Sequence, residues 1–185
     1  MCSNKFAYRN SQVIKPQDEI LLPDNTFLSA IFSNNDISNE FMDKLSIAKG
    51  RIAASSSSKI HFHPIVTQVT YVLSGSLEVI MKNKKDKVSY KAYLNPGESI
   101  ITEPNTFFQL VNNTTTNCEV LYIVNPAFLF ELNESLDEVV YNDAFIFEES
   151  WEELSSKNWM HDIVSNDTGY FEKLRKASKL RMSTK

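Results

Sequence analysis

Three histidines occur in the 185 residues, and two of them, His61 and His63, stand one residue apart in the segment 59–81, KIHFHPIVTQVTYVLSGSLEVIM. Residues i and i+2 of a strand project from the same face. Two imidazoles would therefore lie side by side, with Phe62 on the opposite face. Each can give one nitrogen to a divalent ion, and imidazole suits Zn, Fe, Cu and Ni. Taken alone, the pair reads first as an ordinary polar or hydrogen-bonded core pair in a strand. The third histidine, His161 in NWMHDIV, reads as a surface or packed residue.

The elements that must position the pair are short. From Phe41 to about Val124 the apolar segments are rich in Val, Ile, Tyr and Phe and broken by polar turns: KLSIAKGRIAA, KIHFHPIV, QVTYVL, SLEVIM, KVSYKAYL, ESIIT, TFFQLV and CEVLYIV. Strands spaced in this way predict an all-β sandwich or barrel. KNKKDK (82–87) predicts a charged hairpin tip and NPGES (95–99) a turn. Three stretches follow: a short N-terminal arm with strands over 1–40, the barrel over 41–124, and a partly helical C-terminal extension over 125–185. In that extension WEELSSKNW and TGYFEKLRKASKLRM (168–182) read as helices, the second with a solvated basic face.

Composition narrows the classes of function. The net charge is −4 and the pI about 5.4, which argues against nucleic acid or an anionic membrane as partner. No apolar run approaches the roughly 18 residues of a membrane helix. The start, MCSNKFAYRNSQ, lacks an apolar signal-peptide core, so a cytoplasmic protein is expected. The two cysteines, Cys2 and Cys118, do not make a disulfide framework, and Cys118 in its strand-like run reads as a small buried apolar residue.

The surroundings of the pair carry a resemblance. Four residues separate His63 from Gln68, and six separate Gln68 from Gly75. This resembles the first motif of the cupin superfamily, Gly-x5-His-x-His-x3,4-Glu-x6-Gly, in which the histidines and Glu hold a metal and the last Gly makes a hairpin turn. Ser55 stands where the first Gly belongs and Gln68 where the Glu belongs. PGESIITEPNTFFQLVNN (96–113) is similar to the second motif, Gly-x5-Pro-x-Gly-x2-His-x3-Asn. Without gaps Gly97 and Asn112 match, Glu103 and Asn105 take the Pro and Gly positions, and Phe108 takes the histidine position. Slipped by one residue, Pro104 and Asn113 match and Gln109 takes the histidine position. The two registers exclude each other, because a one-residue slip reverses the faces of a strand.

The resemblance covers about residues 45–124. It implies a cupin β-barrel, a jelly-roll-like double-stranded β-helix, and a divalent metal (Zn, Fe, Mn, Ni or Cu) held by His61, His63, Gln68 and Gln109. It further implies an enzyme acting on a small oxygenated or carboxylated metabolite by Lewis-acid chemistry, as an isomerase, lyase, cyclase or condensing enzyme. A substrate carboxylate would then replace the anionic ligand that Gln68 lacks. Two alternatives stand beside this: a ligand-binding cupin with a degenerate metal site, and a cupin dioxygenase. Glu103 is an acid or base only if it faces inward, and Tyr71 has the wrong strand parity for the site. Trp151, Trp159 and Tyr141 suit a lid, a dimer contact or packing of the extension. The expected partners are a small-molecule substrate and a second copy of the chain.

Overall fold

The computed structural model describes residues 16–32, 45–83, 86, 88–128, 130–133, 138–147 and 150–156. The expected helix over 168–182, Trp159 and His161 lie outside the described residues. The strands are β1 (Ile20–Leu21), β2 (Phe27–Phe32), β3 (Ser46–Ile52), β4 (Ser56–Ser57), β5 (Ile60–Phe62), β6 (Thr67–Ser74) and β7 (Leu77–Lys82). They continue as β8 (Tyr90–Leu94), β9 (Ser99–Thr102), β10 (Phe107–Asn112), β11 (Cys118–Asn125), β12 (Phe130–Asn133), β13 (Glu138–Asn142) and β14 (Phe145–Phe147), followed by helix α1 (Trp151–Ser156). One antiparallel sheet has the order β1-β2-β3-β11-β6-β9. The other runs β14-β5-β10-β7-β8, with β4 also paired to β10, and β12 and β13 form a separate pair. The expected all-β architecture is thus two facing sheets. The flanking segments contribute strands to them: β2 pairs with β3, and β14 with β5.

Alternation along the strands builds the core. In β11 the odd-numbered Glu119, Leu121 and Ile123 are less buried than Cys118, Val120, Tyr122 and Val124, which face the second sheet. Val72 and Ile52 join them from the first sheet, and Leu77, Val79, Met81, Phe108 and Leu110 from the second. A second apolar cluster forms from Ile60, Phe62, Phe107, Phe145 and Leu154, with Phe147 and Trp151 against it. The strand β5 lies between the two cores, which is why all three of its residues are buried. The helix over it begins with a capping box: Ser150 Oγ accepts from Glu153 N at 3.2 Å, and Glu153 Oε2 accepts from Ser150 N at 2.7 Å.

The backbone decides between the two registers of the second motif. Four positions take a glycine in the two motifs read without gaps, namely 55, 75, 97 and 105, and all four have positive φ: Ser55 52°, Gly75 79°, Gly97 91° and Asn105 62°. The gap-free register holds, with Ser and Asn in the left-handed region that glycine favours. Gly75 departs from expectation in another way. Its turn passes the chain from β6 in one sheet to β7 in the other, so it is a crossover and not a hairpin. A Cβ there would lie 2.8 Å from Asn117 O, so the close approach also requires glycine. The expected hairpin tip at 82–87 does join paired strands, β7 and β8.

Asn112 closes this end of the barrel. It is fully buried, and its Nδ2 donates to Ile52 O, Ala53 O and Thr116 O at 3.1, 3.0 and 2.8 Å. Its Oδ1 accepts from Thr114 N at 3.0 Å and Thr114 Oγ1 at 2.7 Å. Replacing it by Ala leaves several buried polar groups without partners, and the expected loss is about 3 kcal/mol in urea unfolding. At Ser55, Gly is expected to match or exceed the native stability, and Ile to lose about 1–2 kcal/mol in the same measurement.

Candidate functional site

The site begins at Lys59. Its N–H donates to Asp24 O at 2.7 Å, which ties the 22–26 loop to the start of β5. Its carbonyl is 2.9 Å from His61 Nδ1. A carbonyl only accepts, so Nδ1 carries the hydrogen, and the lone pair of the neutral ring is on Nε2. Asp24 Oδ2 is 3.9 Å from the same Nδ1. Asp24 Oδ1 accepts from Thr26 N at 3.1 Å and Thr26 Oγ1 at 2.8 Å, an Asx-type turn that holds the carboxylate still.

His61 and Gln68 line one cavity of about 90 Å3. Asp24, Thr26, Ser46 and Tyr122 supply its other polar groups, and its remaining walls are apolar, among them Leu28, Val124 and Phe128. Gln68 Nε2 donates to Thr70 Oγ1 at 3.1 Å. Ser46 Oγ accepts from Phe128 N at 3.0 Å, which sets the Phe128 wall.

Tyr122 is packed on Gly50 of the neighbouring strand. A Cβ at Gly50 would lie 2.7 Å from Tyr122 Cζ and 2.9 Å from its hydroxyl oxygen, so the ring's place depends on that glycine. The hydroxyl is buried and makes no hydrogen bond among the described residues. Burial pushes the phenol well above its usual range, with Asp24 and Cys118 adding to the rise. Thr26 pulls slightly the other way, its own hydroxyl hydrogen being given to Asp24. Tyr122 is therefore a neutral donor at physiological pH. Cys118, fully buried as expected, has its thiol pushed up to about 11 by desolvation, with Glu119 adding to it, and is inert.

Of the residues expected to hold a metal, His61 and Gln68 share the cavity, His63 lies beside His61, and Gln109 is elsewhere. His63 is on the same side as His61, with ring centroids 5.4 Å apart. It packs against Phe108 at 5.4 Å and Phe128 at 5.3 Å, however, and does not line the cavity. Phe108 takes the histidine position of the motif, opposite His61 in the β5–β10 register, with its ring 4.1 Å from the His61 ring. Gln109 belongs to the opposite face. Its Nε2 donates to Ser58 O and its Oε1 accepts from Trp151 Nε1, both at 2.8 Å, under α1. The parity of β10 removes it from the site. Glu103 is exposed at its turn, and Tyr71 points outward. Trp151 packs the extension on the outer cluster.

The donor set does not fit a tightly held divalent ion. The cavity wall offers one imidazole and one neutral amide, and an aromatic ring covers the position of a further ligand. Among the described residues no group of three or more His, Cys, Asp and Glu side chains could hold a metal. Asp24, the nearest carboxylate, is on the Nδ1 side of His61, away from the nitrogen that would ligate.

Sequence reasoning missed Asp24 and Tyr122. Asp24 stands in a turn of the N-terminal arm, and no local pattern says that this turn folds back onto Lys59. Tyr122 has the inward parity of β11, a signal that was available, but it shares that parity with Cys118, Val120 and Val124.

Residues 49–124 match the model of the cupin domain family. This segment of the chain is similar to the cupin domain family. Several solved structures resemble its fold at low identity. Oxalate oxidase has a TM-score of 0.52 at 16% identity, covering 69% of this chain and 63% of that one. Drosophila melanogaster CENP-C, solved bound to CAL1, has 0.51 at 10%, covering 60% and 80%. The capsular polysaccharide assembling protein CapF from Staphylococcus aureus has 0.51 at 12%, covering 75% of this chain and 35% of that one. Comparison with curated proteins gives no match. Among the described residues no helix is long and apolar enough to cross a membrane.

The two raised pKa values predict alkaline sensitivity. A group whose folded-state pKa exceeds its unfolded one keeps its proton in the native state where the unfolded chain loses it. Its stabilisation is complete below the unfolded pKa and lost as pH rises. Stability is expected to fall from about pH 9 as Cys118 is engaged, and more steeply from about pH 10 as Tyr122 joins it. Tyr122→Phe is expected to remove up to about 1.4 kcal/mol per pH unit of the slope above pH 10, read from urea midpoints across the range.

Proposed function

We propose that this protein binds a small organic molecule in its barrel cavity without a metal ion. The observation that carries the reading is the exchange at the metal position. Phe108 packs on His61, His63 packs against Phe108 and Phe128, and Asp24, Thr26, Ser46, His61, Gln68 and Tyr122 are the polar residues that line one cavity. Pockets of this kind, apolar with a few convergent polar groups, are the usual form of small-molecule sites. The ligand-binding alternative is therefore preferred to the metal-dependent enzyme. Fold alone does not decide between them, since one fold hosts many functions.

The Lewis-acid enzyme is the second reading. It is favoured by one observation, the His61 tautomer that leaves Nε2 free to ligate. A dioxygenase would need the same ion. Metal content separates the two readings. Protein loaded with Zn²⁺ or Ni²⁺ and desalted is expected to retain well under one equivalent. The double variant Gln68→Glu/Phe108→His, which supplies an anion and a third imidazole, is expected to retain about one equivalent. One equivalent in the native protein, lost in His61→Ala, would overturn the proposal in favour of the enzyme.

A further inference from the structure

Resting on the metal-free reading of this cavity, we infer that its ligand is an uncharged carbonyl compound, with a primary amide the best match, and that the site selects against carboxylic acids. The first support is charge. Asp24 is 8% exposed and lines the cavity, and no Lys or Arg lines it among the described residues. A carboxylate entering beside Asp24 would place two like charges in a poorly solvated space, which raises the cost of ionising either. Among the described residues, His61 is the only basic side chain that lines the cavity. Its Nδ1 faces Lys59 O and Asp24, so Asp24 would match a charge on the ring before a ligand did. The carboxylated metabolite implied by the resemblance fits this wall poorly.

The second support is the hydrogen-bonding inventory. The Tyr122 hydroxyl meets no hydrogen-bond geometry among the described residues, Thr26 beside it having given its own hydrogen to Asp24, and burial keeps the phenol proton on, so the hydroxyl suits an acceptor oxygen. A buried hydroxyl left in this state is costly, and a ligand carbonyl removes the cost. Asp24 accepts only, with Oδ1 already used by Thr26. An N–H on the ligand would suit its other oxygen. A carbonyl with an adjacent N–H meets both requirements, and a ketone meets the first.

The third support is size. A cavity of about 150 Å3 takes a benzene ring, so about 90 Å3 accommodates roughly four or five non-hydrogen atoms, with the remaining walls apolar.

Three probes of one shape test this: propionamide, 2-butanone and propionate, titrated at neutral pH into ¹⁵N-labelled full-length protein and followed by amide shifts around β3, β5 and β11. Affinities for such small molecules fall near the millimolar range or weaker, so titration to about 50 mM is needed. Propionamide and 2-butanone are expected to bind at least tenfold more tightly than propionate. Tyr122→Phe is expected to weaken both by about 5–10-fold. Asp24→Asn, whose Oδ1 can still serve Thr26, is expected to close most of the gap to propionate. Propionate binding within twofold of 2-butanone in the native protein overturns the inference and leaves the metal-free pocket standing. Binding of any probe only after Zn²⁺ or Ni²⁺ is added overturns the reading on which the inference rests. So does the absence of shifts from all three.

Discussion

The register of β10 between β5 and β7 is the constraint on which the site depends. Phe108 stands opposite His61 on one side and Met81 on the other. That places Phe107 in the outer cluster, Phe108 in the barrel and Gln109 beneath α1. The buried amide of Asn112, at the end of the same strand, bonds to the ends of β3 and the β10–β11 loop and holds this register. A slip by one residue would put an amide against the histidines and two phenylalanines on the wrong faces. It would also separate Gln109 from Trp151 and unseat the helix. That a phenyl ring, not a ligand, stands at this position of β10 is thus a consequence of how the strand packs on both sides.

Much of this was legible in the sequence, and the reasons are local. His61 and His63 share a face because they are two apart. The strands β6 and β11 read correctly because one side is buried and the other is not. The helix start at Ser150 is marked by the Ser-x-x-Glu pattern. What was not legible depends on pairs distant in the chain. The register of the second motif is marked by which residues have positive φ, and Asn105, like Ser55 of the first motif, adopts it without being glycine. A sequence reader weighing Asn and Ser as failures of a glycine motif underrates them. Asn in particular tolerates the left-handed region through its short polar side chain. The hairpin expected at Gly75 failed because a turn says nothing about whether the strands it joins pair with each other.

The candidate site shows the same division more sharply. His61 and Gln68 were found because they belong to a motif. Asp24 enters through a backbone bond from Lys59, far from it in the chain, and Tyr122 through its packing on Gly50. Neither contact leaves a mark in local pattern, because each is a meeting of elements from different parts of the barrel.

These contacts show how the barrel keeps its architecture while its chemistry changes. The position of the metal carboxylate holds an amide, already engaged with Thr70, and the position of a metal histidine holds a phenyl ring. Both exchanges remove charge-handling capacity from the centre of the barrel. The N-terminal loop brings a carboxylate back, on the other side of His61, where it meets Nδ1 and not the nitrogen a metal would use. A carboxylate there neutralises no dication. What it does is set the sign of the cavity and orient an imidazole already held by Lys59 O. The polar centre has moved from the middle of the barrel toward the 22–26 loop, and its donors and acceptors suit an uncharged ligand better than an ion.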